Sequence, residues 1–333
     1  MTAAPVLVVG AGAWGTALAS VCARAGRDVV LYDNDATTIA QLCATRCHPR
    51  FAPDVQLHPA ITPVAELAGI AAPEFIILVV PYQIMRAALV SLRAALPNVL
   101  AVACASKGFE LDTGKMAHEI VADAYGPDLP FAQVSGPNFA SEVLAGSPAA
   151  ITVGASSAAL GTQLVNAMYG PNFRPYYSDD VIGVEIGGAL KNVIAIAAGI
   201  ADGLGLGANT RAALITRGLA EMARFGVARG GRMETFMGLS GMGDLVLTCT
   251  DNQSRNRRFG MALAQSGSVA AAEASVGALV EGVATAHAVT AMASRWHIDM
   301  PIATEVARVL AGTTTAQAAV QNLLARDPTI EAR

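Results

Sequence analysis

The sequence predicts an α/β protein, with a doubly wound, mostly parallel sheet followed by an all-helical second half. Three observations lead there. Short apolar runs alternate with Ala-rich helical stretches through the first half; a glycine-rich turn joins the first apolar run to the first helical stretch; and β signals almost vanish from Asp180 onward. At about 150 residues per domain, the 333 residues lead to an expectation of two domains. The expected boundary near Ser178–Asp180 divides the chain into 1–179 and 180–333. No low-complexity linker lies there, so the two parts are expected to pack closely with a cleft between them.

Val6–Val9 reads as the first strand, Thr16–Ala25 as a helix ended by Gly26, and Val29–Tyr32 as the second strand. Phe75–Val80 is a continuous apolar run of the kind buried on both faces of a sheet, stopped by Pro81. Val99–Ala105 is another, closed by Ser106-Lys107-Gly108. Phe131–Val134, Ile151–Val153 and Phe173–Tyr177 complete the β signals. In the second half Val181–Ile200, Arg211–Phe225, Phe259–Gln265, Thr285–Arg295 and Ile302–Leu310 read as helices.

Composition narrows the function classes. Hydrophobic residues make up 53% of the chain and charged residues 14%, against a usual ~25% charged, which argues against disorder. With a net charge of −4 and scattered Lys and Arg, nothing favours nucleic acid. Apolar stretches are broken before the ~20 residues a membrane span needs. Met1–Val9 has no basic residue before its apolar run and reads as a strand, not a signal peptide. Five sparse cysteines suit reduced thiols, so the expected location is the cytoplasm. Cys43, Cys47 and His48 cluster without a fourth ligand nearby, so no metal is expected and the three are left without a role.

Gly10-Ala11-Gly12-Ala13-Trp14-Gly15 stands between a strand and a helix, with a second strand beyond. That context turns a weak GxGxxG match into a Rossmann-type dinucleotide fingerprint. Gly10 makes the tight turn, Gly12 leaves room for a pyrophosphate, and Gly15 lets the helix pack on the strand. The helix N-terminus offers free N–H groups to the phosphates. Asp33, at the end of the second strand, suits the ribose hydroxyls and repels a 2′-phosphate; a solvated turn residue is the alternative.

Polar groups in apolar surroundings mark the chemistry. Lys191 and Asn192 sit inside the apolar run Gly187–Ala195, with no acidic residue three or four positions away. Such a lysine either snorkels to water or is desolvated into an acid/base. Gly238–Asp244 is a glycine-dense loop ending in a carboxylate, with Thr248 four residues on; a turn with a capping Asp fits equally. Ser254-Arg255-Asn256-Arg257-Arg258 sets three cations at a helix start, against the macrodipole, which a bound anion would relieve. A solvated basic face is the other reading, and at least one of Arg257 and Arg258 is expected on the surface. Ser106-Lys107-Gly108 and Ser135–Ala140 end strands at the carboxyl edge of the sheet, where ligands of open α/β sheets sit.

Taken together, GAGAWGTALA, the Ser106-Lys107-Gly108 turn, SGPNFASE, GGALKNVIAIAAGIADG, GLSGMGDLVLTCT, SRNRRFG and VEGVATA resemble the bacterial NAD(P)-dependent glycerol-3-phosphate dehydrogenase family over almost the full length. The resemblance implies a Rossmann-type N-terminal domain, an all-helical C-terminal domain, and reduction of dihydroxyacetone phosphate to sn-glycerol 3-phosphate. By match, Trp14 lies along the cofactor, Lys107 contacts substrate and cofactor, Gly136 and Asn138 line the substrate site, and Ala140 is near the cofactor. Lys191 is the acid/base, assisted by Lys107 and Asp244, with Asn192, Asp244 and Thr248 around the substrate. Ser254, Arg255 and Asn256 hold the phosphate side, Arg255 also reaching the cofactor. Val280 or Leu279, and Glu281, close over the nicotinamide. A homodimer is expected, with no nucleic acid and no membrane span. Tyr32-Asp33-Asn34-Asp35 departs from the basic or neutral residues of many members, so NAD(H) is the expected cofactor and NADP(H) use stays open. The rival readings are a β-hydroxyacid dehydrogenase or ketopantoate reductase, which leave the SRN segment unexplained, and a non-catalytic NAD sensor, in which Lys191 and Arg255 have no work.

Overall fold

The computed structural model describes residues 4–327; positions 1–3 and 328–333 of the two expected domains lie outside the described residues. Eight strands form one sheet in the order β10-β9-β8-β7-β6-β1-β2-β5. They are β1 (Val6–Val9), β2 (Val29–Tyr32), β5 (Ile61–Val64), β6 (Phe75–Leu78), β7 (Val102–Cys104), β8 (Phe131–Ser135), β9 (Ala149–Ala155) and β10 (Phe173–Ser178). Every neighbouring pair is parallel except β8 with β9. The apolar runs are fully buried in β1 and β6, as a two-faced sheet demands. Helices α1 (Ala13–Arg24), α2 (Ala36–Thr45), α3 (Met85–Ala95), α4 (Ala117–Tyr125), α5 (Ala140–Leu144) and α6 (Ala158–Met168) connect the strands.

Three of the strands carry no sequence expectation. β5 pairs parallel with β2 at the sheet edge and holds Pro63 in its interior, which only an edge tolerates. The short hairpin of β3 (Cys47–His48) and β4 (Ala52–Gln56) forms a second, two-stranded sheet between α2 and β5. β4 and β5 each contain a proline and β3 is two residues long, so none gives a continuous apolar run to read.

Strand order reverses at β1. The chain moves outward from β1 to β2 and β5, then returns to β6 on the other side. A crevice therefore opens beyond the carboxyl ends of β1 and β6, the place where this topology holds ligands.

From Val181 onward the described residues are helical: α7 (Val181–Gly203), α8 (Gly207–Ala228), α9 (Met233–Phe236), a π-helical turn (Leu239–Gly243), α10 (Asp244–Thr250), α11 (Arg255–Ser266), α12 (Val269–Val276), α13 (Glu281–Arg295), α14 (Pro301–Leu310) and α15 (Ala316–Leu324). Asp180 caps α7, accepting from Gly183 N at 2.8 Å, and also holds Arg232 N at 2.8 Å and Thr235 Oγ1 at 2.6 Å. α7 is long and apolar enough to pass for a membrane span by composition, beyond what the broken apolar runs suggested, but Gly183–Ala201 is buried among helices. Two glycines let α11 lie directly on it. A Cβ at Gly199 would stand 2.1 Å from Arg257 O, and one at Gly260 2.2 Å from Ile196 O. The seam with the sheet is polar: His118 of α4 gives its backbone N–H to buried Glu185 of α7 at 2.9 Å and sets its ring nitrogen 2.6 Å from the same carboxylate.

Candidate active site

The glycine loop after β1 has the geometry its sequence calls for. Gly10 has φ +106°, and a Cβ there would stand 2.4 Å from Val79 O, so no side chain fits. A Cβ at Gly15 would lie 1.8 Å from Gly10 O, which fixes how closely α1 approaches the turn. At Gly12 nothing lies within 4 Å, so the loop opens there onto free space. α1 has no side-chain cap and no acidic residue in its first turn, leaving its first N–H groups to a ligand. Asp33 accepts from Ala11 N at 2.7 Å through one oxygen and from Asp35 N at 2.9 Å through the other. Gly10, Tyr32, Asp33, Val80 and Ile84 line a crevice of about 320 Å³ at this sheet edge. A neutral opening beside a helix N-terminus, with a carboxylate at the far end, fits a dinucleotide's pyrophosphate and adenosine ribose. Trp14 is half-buried beside the loop, with its indole N–H unpartnered.

The second cluster is ionic. Lys191 of α7 donates to Asp244 Oδ1 and, at 2.9 Å, to Thr248 Oγ1. Lys107, from the turn after β7, donates to Asp244 Oδ2 at 2.6 Å. Asp244 is completely buried and opens α10, so its two oxygens hold one lysine each. Thr248, one turn later, gives its hydroxyl proton to Asp244 O at 2.6 Å, leaving the oxygen free to accept from Lys191. Burial pulls the Lys191 ammonium down to about 8; Asp244 pulls it up and Lys107 pushes it down again. The alternative of a snorkelling lysine is overruled, because the side chain ends inside the protein on a carboxylate.

Glycines make room for this cluster. A Cβ at Gly187 would meet Ser240 O at 2.5 Å; one at Gly188 would meet Ser135 Oγ at 2.6 Å and Lys107 Cγ at 3.3 Å. The Ser135 hydroxyl is buried and has no hydrogen-bond partner among the described residues. Nearby, Asn138 donates to Ala150 O at 2.8 Å and leaves its Oδ1 unpaired. Gly136 packs against Ile151, where a Cβ would meet its Cα at 3.1 Å. Ala140 is the first residue of α5 and half-buried.

The α11 start is divided between fold and solvent. Ser254 caps the helix, accepting from Arg257 N at 3.2 Å. Arg255 is exposed and makes no ion pair among the described residues. Asn256 donates to Asn192 Oδ1 at 2.9 Å and accepts from Gly282 N at 3.0 Å, so its amide ties α7, α11 and α13 together. Glu281, the first residue of α13, is partly buried; burial pushes its carboxyl up, against the pull of Arg255, Lys107 and Lys191. Val280 is buried in the helical core, while Leu279 is exposed.

The expectation that at least one of Arg257 and Arg258 is on the surface holds for Arg258; Arg257 is buried, with its guanidinium on Asp202 at 2.6 Å and on Asn252. Asp202 lies at the end of α7 and also holds Arg211 at 2.6 Å. Two of the three cations opposing the α11 dipole thus remain in solvent, and the third is neutralised. No local signal could reveal this partner, which lies 55 residues away in sequence.

The two halves of a family model match this chain: the N-terminal part of NAD-dependent glycerol-3-phosphate dehydrogenase over residues 5–160, and its C-terminal part over residues 180–321. The glycerol-3-phosphate dehydrogenase [NAD(P)+] of Thioalkalivibrio sulfidiphilus is 47% identical over 98% of this chain and 98% of its own length. That of Halorhodospira halophila is 46% identical over 99% of each. Among solved structures, the glycerol-3-phosphate dehydrogenase of Coxiella burnetii superposes with a TM-score of 0.92 at 39% identity, over 97% of this chain and 99% of that one.

Proposed function

Since the chain belongs to the NAD-dependent glycerol-3-phosphate dehydrogenase family, we propose how the residues of the cleft divide that family's reaction among them. The reaction is the reversible, NAD(P)H-dependent reduction of dihydroxyacetone phosphate to sn-glycerol 3-phosphate. The observation that carries the assignment of roles is the Lys107–Asp244–Lys191 cluster, buried where α7 and α10 meet the carboxyl end of β7.

The dinucleotide, when bound, supplies the hydride that goes to the substrate's C2; the chain supplies everything else. Gly10, Gly12, Trp14, Gly15 and Asp33 hold it at the sheet edge. Ala140, Arg255, Leu279 and Glu281 line its far side. Lys191 donates the proton that the C2 oxygen takes up, and in the reverse direction accepts it. A value near 8 keeps the ammonium mostly protonated at neutral pH yet close enough to neutrality to give its proton up. Asp244 orients Lys191, and Lys107 adds a second positive charge where negative charge develops. Arg255 meets the substrate phosphate with its fork, beside the N–H groups of α11. Gly136, Asn138, Asn192, Thr248, Ser254 and Asn256 shape the rest of the substrate pocket, the last two by holding the backbone in place.

We take residues 1–179 as the cofactor-binding part and 180–333 as the part that supplies Lys191, Asp244 and Arg255. We also infer a cytoplasmic homodimer that feeds glycerophospholipid synthesis, an inference carried by family membership. The deciding assay follows NADH oxidation with dihydroxyacetone phosphate and, separately, with 2-keto acids. Turnover confined to dihydroxyacetone phosphate supports the reading; preference for a 2-keto acid overturns it in favour of the β-hydroxyacid dehydrogenase or ketopantoate reductase type.

A further inference from the structure

We propose that His48 is a positioning residue for the cofactor: from the hairpin beside the sheet it clamps the middle peptide of the glycine loop. The proposal rests on the dinucleotide reading of that loop. His48 is 2% exposed, and both its ring nitrogens are engaged. Nδ1 faces two backbone donors, Arg50 N at 3.2 Å and Phe51 N at 3.3 Å. A nitrogen that accepts cannot carry the ring proton, so the proton sits on Nε2. Nε2 is 2.8 Å from Ala11 O and therefore donates to it. Thr16 Oγ1 adds a longer bond to the same oxygen at 3.3 Å.

The opposite end of this peptide group's residue is held too, since Ala11 N donates to Asp33 Oδ2 at 2.7 Å. Ala11 is thus fixed through both its N–H and its C=O, and it is the one residue between Gly10 and Gly12. Those glycines are what the loop needs for its turn and its open space, and they are also what makes it costly to order. The clamp meets that cost before the cofactor arrives. It sets the carbonyl away from the open side of the loop and so leaves the N–H groups of α1 aimed at a pyrophosphate. Neither Cys43 nor Cys47 bonds the imidazole, so the ring joins only its own hairpin turn, through Nδ1, to the glycine loop, through Nε2. The imidazole stays neutral in this arrangement, so its contribution is geometric rather than a charge offered to the phosphates.

Two substitutions separate the clamp from simple support of the hairpin. His48→Leu keeps the site apolar and removes both functions. His48→Gln keeps an N–H able to reach Ala11 O but gives up the acceptor for Arg50 and Phe51. The readouts are the Kd for NADH by its fluorescence, kcat at saturating NADH, KM for dihydroxyacetone phosphate, and Tm. His48→Leu is expected to raise the Kd for NADH about tenfold, the loss of one buried hydrogen bond. Its kcat and its KM for dihydroxyacetone phosphate should stay within about twofold. His48→Gln should recover most of the affinity even if its Tm stays low. A Leu variant that binds NADH within about twofold of the native chain overturns the clamp. If the Leu variant does not fold, the Gln variant decides: native-like affinity supports the clamp and an equal loss overturns it. A native chain that binds no dinucleotide removes the cofactor reading itself, and the clamp with it.

Discussion

The glycine loop and the lysine–aspartate cluster are both polar sites in apolar surroundings, and they are built in opposite ways. The loop is nearly local: Gly10, Gly12 and Gly15 lie within six consecutive residues, and Asp33 follows one strand later. Its groups are backbone N–H groups and open space, and no charged side chain stands at Gly12. The cluster is wholly non-local. Lys107, Lys191 and Asp244 come from three distant segments, and their charges meet within hydrogen-bonding distance in the interior. The difference matches the tasks assigned to them. Holding a pyrophosphate needs a pre-set backbone and room. Moving a proton needs a desolvated titratable group, which only buried charges can provide.

The largest effect that would sharpen this contrast is at Lys191. Lys191→Met should cut kcat by roughly 10²–10⁴-fold while NADH binding by fluorescence barely changes. A variant that keeps most of its kcat would dissolve the distinction, leaving the cluster a structural ion network.

Next comes the α11 start, where neighbouring arginines have opposite fates. Arg255→Ala should raise KM for dihydroxyacetone phosphate by roughly 10–150-fold, the value of a charge-assisted contact of ~1.5–3 kcal/mol. It should do far less to unphosphorylated dihydroxyacetone. Arg258→Ala, exposed on the same helix, should change neither. Arg257→Ala should act on the fold instead. It removes one of the two guanidiniums that Asp202 holds and leaves only Arg211, at a cost of about 1.5–3 kcal/mol that a thermal melt would register as a lower Tm. Equal losses on both substrates in Arg255→Ala would assign that residue to folding or cofactor rather than phosphate.

The pH dependence tests the cluster without a mutation. Ketone reduction uses protonated Lys191, so kcat/KM for dihydroxyacetone phosphate should hold below about 8 and fall above it. Oxidation of glycerol 3-phosphate uses the neutral amine, so its kcat/KM should rise with pH and level off above the same value. Removing the carboxylate in Asp244→Asn takes away the charge that raises Lys191, so both limbs should move to lower pH, by at least about one unit. Limbs that stay in place would mean that another group titrates.

The smallest expected effect lies at the loop. Asp33→Asn removes the negative charge that a 2′-phosphate would meet, worth about 1 kcal/mol across water, or roughly fivefold. Because Asp33 also holds Ala11 N, affinity for both cofactors should drop, and the readout is the ratio of kcat/KM for NADPH to that for NADH. A ratio unchanged in the variant, or an NADPH preference in the native chain, would deny Asp33 its selective role.

The sequence by itself determined the alternation of strands and helices, the boundary between β10 and α7, and the glycine loop with its carboxylate. These are legible because each depends on residues close together along the chain: a period, a turn, or a helix begun beside a strand. It also marked Lys191 as an anomaly, since an ammonium inside an apolar helix conflicts with burial whatever lies around it. Only the tertiary structure decided how that conflict is resolved. It set Asp244 between two lysines, buried Arg257 on Asp202 while leaving Arg258 outside, committed Asn256 to a bridge between three helices, and put His48 on the carbonyl of Ala11. The physical reason is that a charge or an amide can be satisfied by any complementary group of the chain. Which group arrives is fixed by the packing of α7 against α10, α11 and the sheet, where glycines allow backbones to touch. That packing is a property of the whole core and is written in no single segment.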